Sequence, residues 1–235
     1  AEALELTGDL DGATATAKTA FELWPIDLRE WGGFAAYAET FLARGRFGAY
    51  EDLVREKPST QHTLALALWK HDTALHPTRP DGTGMRMPPL GTATYFLAAH
   101  LAGHDDEALA STWPEPEVRA YALGLAHEGR GDVEGAATLY REALRVPQQG
   151  DARMLIAHAL GRVLSARGDV AGARAACDEV LHPRLVESYR ALLVPECALW
   201  SGDVAAMRRV VAAWSEADFV LPAVAEARRV VGAAR

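Results

Sequence analysis

The sequence predicts an all-α chain built from repeated antiparallel helix pairs, and three observations predict it. Residues 118–147 hold two helix-period segments broken by a single turn at Gly131-Asp132. That turn recurs as Gly8-Asp9-Leu10, Gly168-Asp169-Val170 and Gly202-Asp203-Val204, with Gly45-Arg46-Phe47 and Gly103-His104-Asp105 as degraded copies. Gly8 to Gly45 and Gly131 to Gly168 are each 37 residues apart, and Gly168 to Gly202 is 34. A glycine frees the backbone to leave one helix, and the aspartate after it caps the next. Small residues keep a fixed place around the turn: Gly124 before Gly131, Gly161 before Gly168, then Ala136 and Ala143 around Tyr140. Helices can approach closely only where such side chains face each other.

This arrangement resembles the tetratricopeptide repeat, whose period is about 34 residues. After Gly8 come Ala13, Ala17 and Ala20, with Pro25 closing the unit; after Gly168 come Ala173, Cys177 and Val180. The likeness covers most of the chain and is weakest between Phe47 and Pro116. It implies an α-α superhelix, a right-handed TPR-like solenoid of antiparallel helix pairs, forming one helical-repeat domain over residues 1–235. It also implies a concave face, lined by the first helix of each pair, that binds an extended peptide or a partner's helix.

Taken in order, residues 1–7 read as the end of a first helix, and 10–23 as the first complete one. Pro25 opens the next, 26–43, where Trp31, Phe34, Tyr37 and Phe41 make an aromatic stripe at helical spacing. Such a stripe packs between helices, or with Trp24 and Trp31 lines a groove. Segments 47–56 and 61–75 follow as helices, the latter buried through Leu64, Leu68, Trp69 and Leu75. Residues 76–91 carry four prolines and three glycines, which forbid a continuous helix. This insertion either folds over the concave face, with Met85, Arg86 and Met87 as contacts, or links two units. Helices resume at 92–102 and 105–112 and break at Pro114 and Pro116. They then pair as 117–129 with 133–146, 151–166 with 170–181, and 185–200 with 204–215. Pro195 removes a backbone donor and is expected to kink its helix. Residues 219–233 form a capping helix that buries Val220, Val224, Ala227 and Val231 and turns Arg228, Arg229 and Arg235 to solvent.

A formal net charge of -8 argues against a basic nucleic-acid footprint. No apolar run reaches the length of a membrane span, and the opening residues lack a basic leader region. Cys177 and Cys197 have neither disulfide-framework nor metal spacing, which points to a reducing cytoplasm. The chain starts inside a repeat pattern, which leaves open whether it is a piece of a longer protein.

Chemistry is sparse along the chain. His100 and His104, four apart beside Asp105 and Asp106, have the residue types of a divalent-metal site, but Gly103 breaks the helix face between them. His127-Glu128 lacks the second histidine of a zinc-protease motif, and no phosphate-binding glycine loop is present. These readings predict a protein that is not an enzyme, needs no cofactor or metal, and binds a protein or peptide partner. Self-association through exposed ends is open. Counting outward from the small position of each first helix places Tyr121, Leu125 and Glu128, then His158, Arg162 and Ser165, then Tyr189, Leu192 and Glu196 toward the concave side. His158 and Arg162 lie one turn apart and could hold a carboxylate by charge-assisted hydrogen bonds. The lysine and asparagine clamp of some relatives is missing, since the matching pairs read Ala35 and Glu39, Tyr121 and Leu125, Leu192 and Glu196. Alternatives are a sensor or regulatory module of a larger protein that binds a small effector, and a metal-dependent hydrolase centred on His100 and His104.

Overall fold

The computed structural model describes residues 9–23, 37, 40–56, 89–101, 103–147, 151–182, 190–218 and 220–233. Among them every regular element is a helix: α1 (Leu10–Leu23), α2 (Phe47–Glu56), α3 (Pro89–Leu101), α4 (Glu107–Thr112), α5 (Pro116–Gly129), α6 (Val133–Arg145), α7 (Asp151–Ala166), α8 (Val170–Leu181), α9 (Arg190–Trp200), α10 (Val204–Ala213) and α11 (Pro222–Ala233). The expected helix 61–75, most of the insertion 76–91, the stripe residues Trp31 and Phe34, and Trp24 lie outside the described residues.

Helix boundaries follow proline and aspartate chemistry. α3 starts at Pro89, three residues ahead of expectation, and α11 at Pro222, three residues behind it. A proline at the first helical position sacrifices no hydrogen bond. α4 begins after Asp106, whose carboxylate accepts from Leu109 N at 3.1 Å. Pro195 sits inside α9, and the helix continues through it.

The turn glycines behave as one motif. Gly45, Gly103, Gly131, Gly168 and Gly202 all hold positive φ, between 63° and 78°. At Gly131 the glycine amide donates to Glu128 O and the Asp132 amide to His127 O, both at 2.9 Å, closing the helix as a Schellman motif. The aspartate then caps the following helix. Asp9 accepts from Gly12 N, Asp132 from Gly135 N, Asp169 from Gly172 N and Asp203 from Ala206 N, at 2.8–2.9 Å.

The chain divides into two compact units, one continuous (58–180) and one built from two segments (1–57 with 181–235). In the continuous unit α5 packs against α3, α4 and α6, and α7 against α6 and α3. Its core alternates small and large residues: Ala136, Ala137, Tyr140 and Ala143 are all fully buried on α6. Gly124 lets that helix in, because a Cβ there would lie 2.4 Å from the Tyr140 ring. In the two-segment unit α9, α10 and α11 pack on one another. Val224, Ala227 and Val231 are buried as expected, whereas Val220 is exposed.

The early segment joins this second unit through a specific clasp. The Asp218 carboxylate accepts from Phe47 N at 2.8 Å and Gly48 N at 2.9 Å, and the Asp218 amide donates to Gly45 O at 3.2 Å. Phe47 meets Trp214 edge to face at 5.5 Å. An array whose units touch only their sequence neighbours does not predict a contact across 171 residues.

Candidate functional site

The expected site residues of the continuous unit converge on Glu128. On α5, Tyr121, Leu125 and Glu128 follow at steps of four and three, which puts them along one side of the helix. On α7, His158 and Arg162 are one turn apart. Arg162 donates to Glu128 through Nε at 2.7 Å and Nη2 at 2.9 Å, a fork matched to the two carboxylate oxygens. The Tyr140 hydroxyl, brought in by α6, donates to Glu128 Oε2 at 2.8 Å. The carboxylate that Arg162 holds is therefore one supplied by the protein itself.

The electrostatics follow from this packing. Burial pushes the Glu128 carboxyl up, but the Arg162 hydrogen bonds and charge, the Tyr140 hydroxyl and nearby His100 outweigh it and hold the group below its ordinary value. Burial likewise pulls Arg162 down, and Glu128 more than restores it. Tyr121 and Tyr140 are pushed well above the ordinary phenol range, chiefly by burial. Both hydroxyls stay protonated at neutral pH, and that of Tyr140 is the donor to Glu128.

Tyr121 and Leu125, expected on an accessible face, are core residues, 0% and 1% exposed. The reason is that α5 has three packed neighbours, α3, α4 and α6, which leave little of its circumference to solvent. His158 is also buried. The Glu128 and Arg162 side chains stay partly open, 18% and 25% exposed. Leu192 and Glu196 lie one turn apart on α9 in the two-segment unit, half-buried, while Tyr189 lies outside the described residues. The structure thus brings together Tyr121, Glu128 and Arg162, with Leu125 and His158 buried on the same two helices.

Two further residues belong to the cluster. Spacing alone gives Tyr140 a space-filling role, and its hydroxyl also anchors Glu128; a tyrosine rather than a phenylalanine is the signal that could have found it. His100 lies near Glu128, and its Nδ1 is 3.0 Å from Asp105 Oδ1. The turn at Gly103 separates His100 from His104, and among the described residues no group of three or more histidine, cysteine, aspartate or glutamate side chains is placed to hold a metal ion. His127 instead supports the turn, its Nδ1 lying 2.7 Å from the capping Asp132. Cys177 and Cys197 are both buried. Among the described residues no helix is long and apolar enough to cross a membrane. No family model, curated protein or solved structure matches the chain.

Proposed function

We propose that this chain is a non-catalytic binding module whose helix pairs stack as a right-handed, TPR-like solenoid and hold a protein or peptide segment on the concave face. The observation that carries the reading is the recurrence of one capped turn, Gly-Asp with positive φ, at Gly131, Gly168 and Gly202. A protein that spends its sequence on repeating a helix pair gains extended surface rather than a single cleft. Each unit carries partly open residues, Glu128 and Arg162 in one and Leu192 and Glu196 in the other, and each set by itself offers contacts of the kind that read a peptide.

The test is selection of displayed peptides on the purified full chain, with enriched sequences measured against wild type, Arg162→Ala and Glu196→Arg. A shared motif whose binding drops at least about tenfold in either folded variant supports the reading, since a charged hydrogen bond carries about 1.5–3 kcal/mol. Enriched peptides that bind both variants like wild type place the contact elsewhere. A selection that enriches no motif removes the peptide reading and favours a small effector.

A further inference from the structure

An ion pair recurs at one place in the turn motif. Arg44, Arg130 and Arg167 each stand immediately before a turn glycine, at Gly45, Gly131 and Gly168. Asp11, Glu107 and Glu134 each stand in the first turn of the helix that follows the preceding turn, on α1, α4 and α6. The structure joins them in order: Arg44 to Asp11 at 2.7 Å, Arg130 to Glu107, and Arg167 to Glu134 through two contacts at 2.9 and 2.5 Å. Each arginine thus reaches back by one turn, across 33 residues at both Arg44 and Arg167.

The two members of the pair are present together and absent together. No acidic residue stands in the first turn of α2 or of α8. The residues before the glycines that come next, Gly103 and Gly202, are Ala102 and Ser201, which carry no charge. The turns are therefore linked as Gly8 with Gly45, and as Gly103 with Gly131 and Gly168. The series breaks between Gly45 and Gly103 and again between Gly168 and Gly202. Those two intervals contain the two places where the chain passes from one compact unit to the other, after residue 57 and after residue 180.

Helix dipoles favour acids at helix starts and arginines at helix ends. That preference acts on each terminus separately and gives no reason for both partners to vanish at the same junctions. Strength is not the explanation either, because the carboxylates are open, Asp11 96% and Glu134 69% exposed, and pairs in water add little to stability. A weak contact repeated at one position sets how far the opening of one helix pair is felt by the next, which is the nearest-neighbour term of a repeat array.

We infer that the arginine–carboxylate pairs couple successive helix pairs, and that their absence at both passages divides the chain into two blocks that open independently. One block is the continuous unit. The other is the two-segment unit, whose segments are joined by the Asp218 clasp instead. The inference goes beyond the binding reading and stands without it. A ligand held by one block tightens that block alone.

Native-state hydrogen exchange of the full chain, read by peptide mass spectrometry, tests it through local opening. Arg167→Gln and Glu134→Gln each remove one charge and keep the side-chain stem. Either is expected to speed exchange in α6 and in the last turn of α7 by roughly two- to fivefold, the range of a surface ion pair, and to leave α9, α10 and α11 at the wild-type rate. The double variant is expected to be no faster than the faster single one, since the second change removes a partner that is already lost. Asp11→Asn and Arg44→Gln are expected to act in the other block, on α1 and α2, and to leave α5, α6 and α7 unchanged. Additive effects of the two single changes overturn the coupling, because separate dipole effects add. It is equally overturned if neither single change alters exchange. Faster exchange that spreads from Glu134 or Arg167 into α9, α10 or α11 overturns the division into blocks.

Discussion

The turns at Gly131 and Gly45 have the same backbone and different sources of stability. Each glycine is left-handed, with φ 78° and 70°, and each closes its helix with the same pair of amide bonds. At Gly131 the following helix is capped by the next residue, Asp132, and a Cβ added to the glycine would meet nothing within 4 Å. At Gly45 the next residue is Arg46, which brings no carboxylate. The cap comes from Asp218, and the glycine lies against Trp214, where a Cβ would sit 2.5 Å from the ring. A repeat can lose its local cap and keep its geometry when a distant part of the chain supplies the missing group.

The largest test of this contrast is alanine at each glycine. Gly131→Ala carries only the left-handed backbone term, about 1–2 kcal/mol. Gly45→Ala adds a collision with a buried indole and is expected to cost about 2–5 kcal/mol, the backbone term plus overpacking. Urea midpoints of the two variants measure the gap, and equal losses would show that Trp214 yields freely. The second test removes the caps. Asp218→Ala is expected to cost about 1–2 kcal/mol, a high-end cap value because two amides lose their acceptor together. Hydrogen exchange should rise in residues 47–56 and in 214–218 alike. Asp132→Ala exposes only the first turn of α6, so its faster exchange should stay local; spreading beyond α5 and α6 would break the distinction between local and distant capping.

What is legible in the sequence divides along the same line. The helix pairs from Glu117 to Leu181 are readable to within a residue or two because each boundary is coded nearby, by Gly131, Asp132, Gly168 and Asp169. Tyr121 and Leu125 fall on the wrong side of α5 when placed by spacing, because spacing within one helix does not say how many neighbours that helix has. Sequence alone leaves the Arg162 fork waiting for an outside carboxylate, and its first partner is Glu128, 34 residues earlier. The Asp218 clasp is not legible at all, since nothing near residue 218 marks it as belonging to a turn 171 residues away.

Acid sharpens the comparison at the Gly131 turn, where carboxylates carry both the cap and the neighbouring ion pair. Glu128 and Asp132 both titrate below their ordinary values of 4.5 and 3.8 in the folded chain. For Glu128, burial pushes up and the Arg162 and Tyr140 hydrogen bonds overcome it; for Asp132 the Gly135 amide acts first and His127 second. Folded-state values below the unfolded ones mean stability that is complete above the unfolded value and is lost as pH falls through the folded one. The urea midpoint of wild type should therefore fall more steeply below about pH 4.5 than that of Glu128→Gln, which has no such proton to gain. Parallel curves would mean that the ion pair contributes no net stability.

The smallest and most specific effect is a rescue. If Arg46 marks the lost cap, Arg46→Asp should restore it, with the new carboxylate three residues before the Ala49 amide, the offset between Asp132 and Gly135. In wild type the gain should be slight, because Asp218 already holds Phe47 N and Gly48 N and the substitution gives up the Arg46 contact with the Phe41 ring. In the Asp218→Ala background the same change should recover about 0.5–1 kcal/mol, the lower half of the range of a single N-cap. The two substitutions are then coupled through one helix terminus, and a double-mutant cycle in urea reads that coupling directly. Strict additivity would mean that a local and a distant cap act on different groups, and that Asp218 stabilises the two-segment unit by joining its segments rather than by completing a turn.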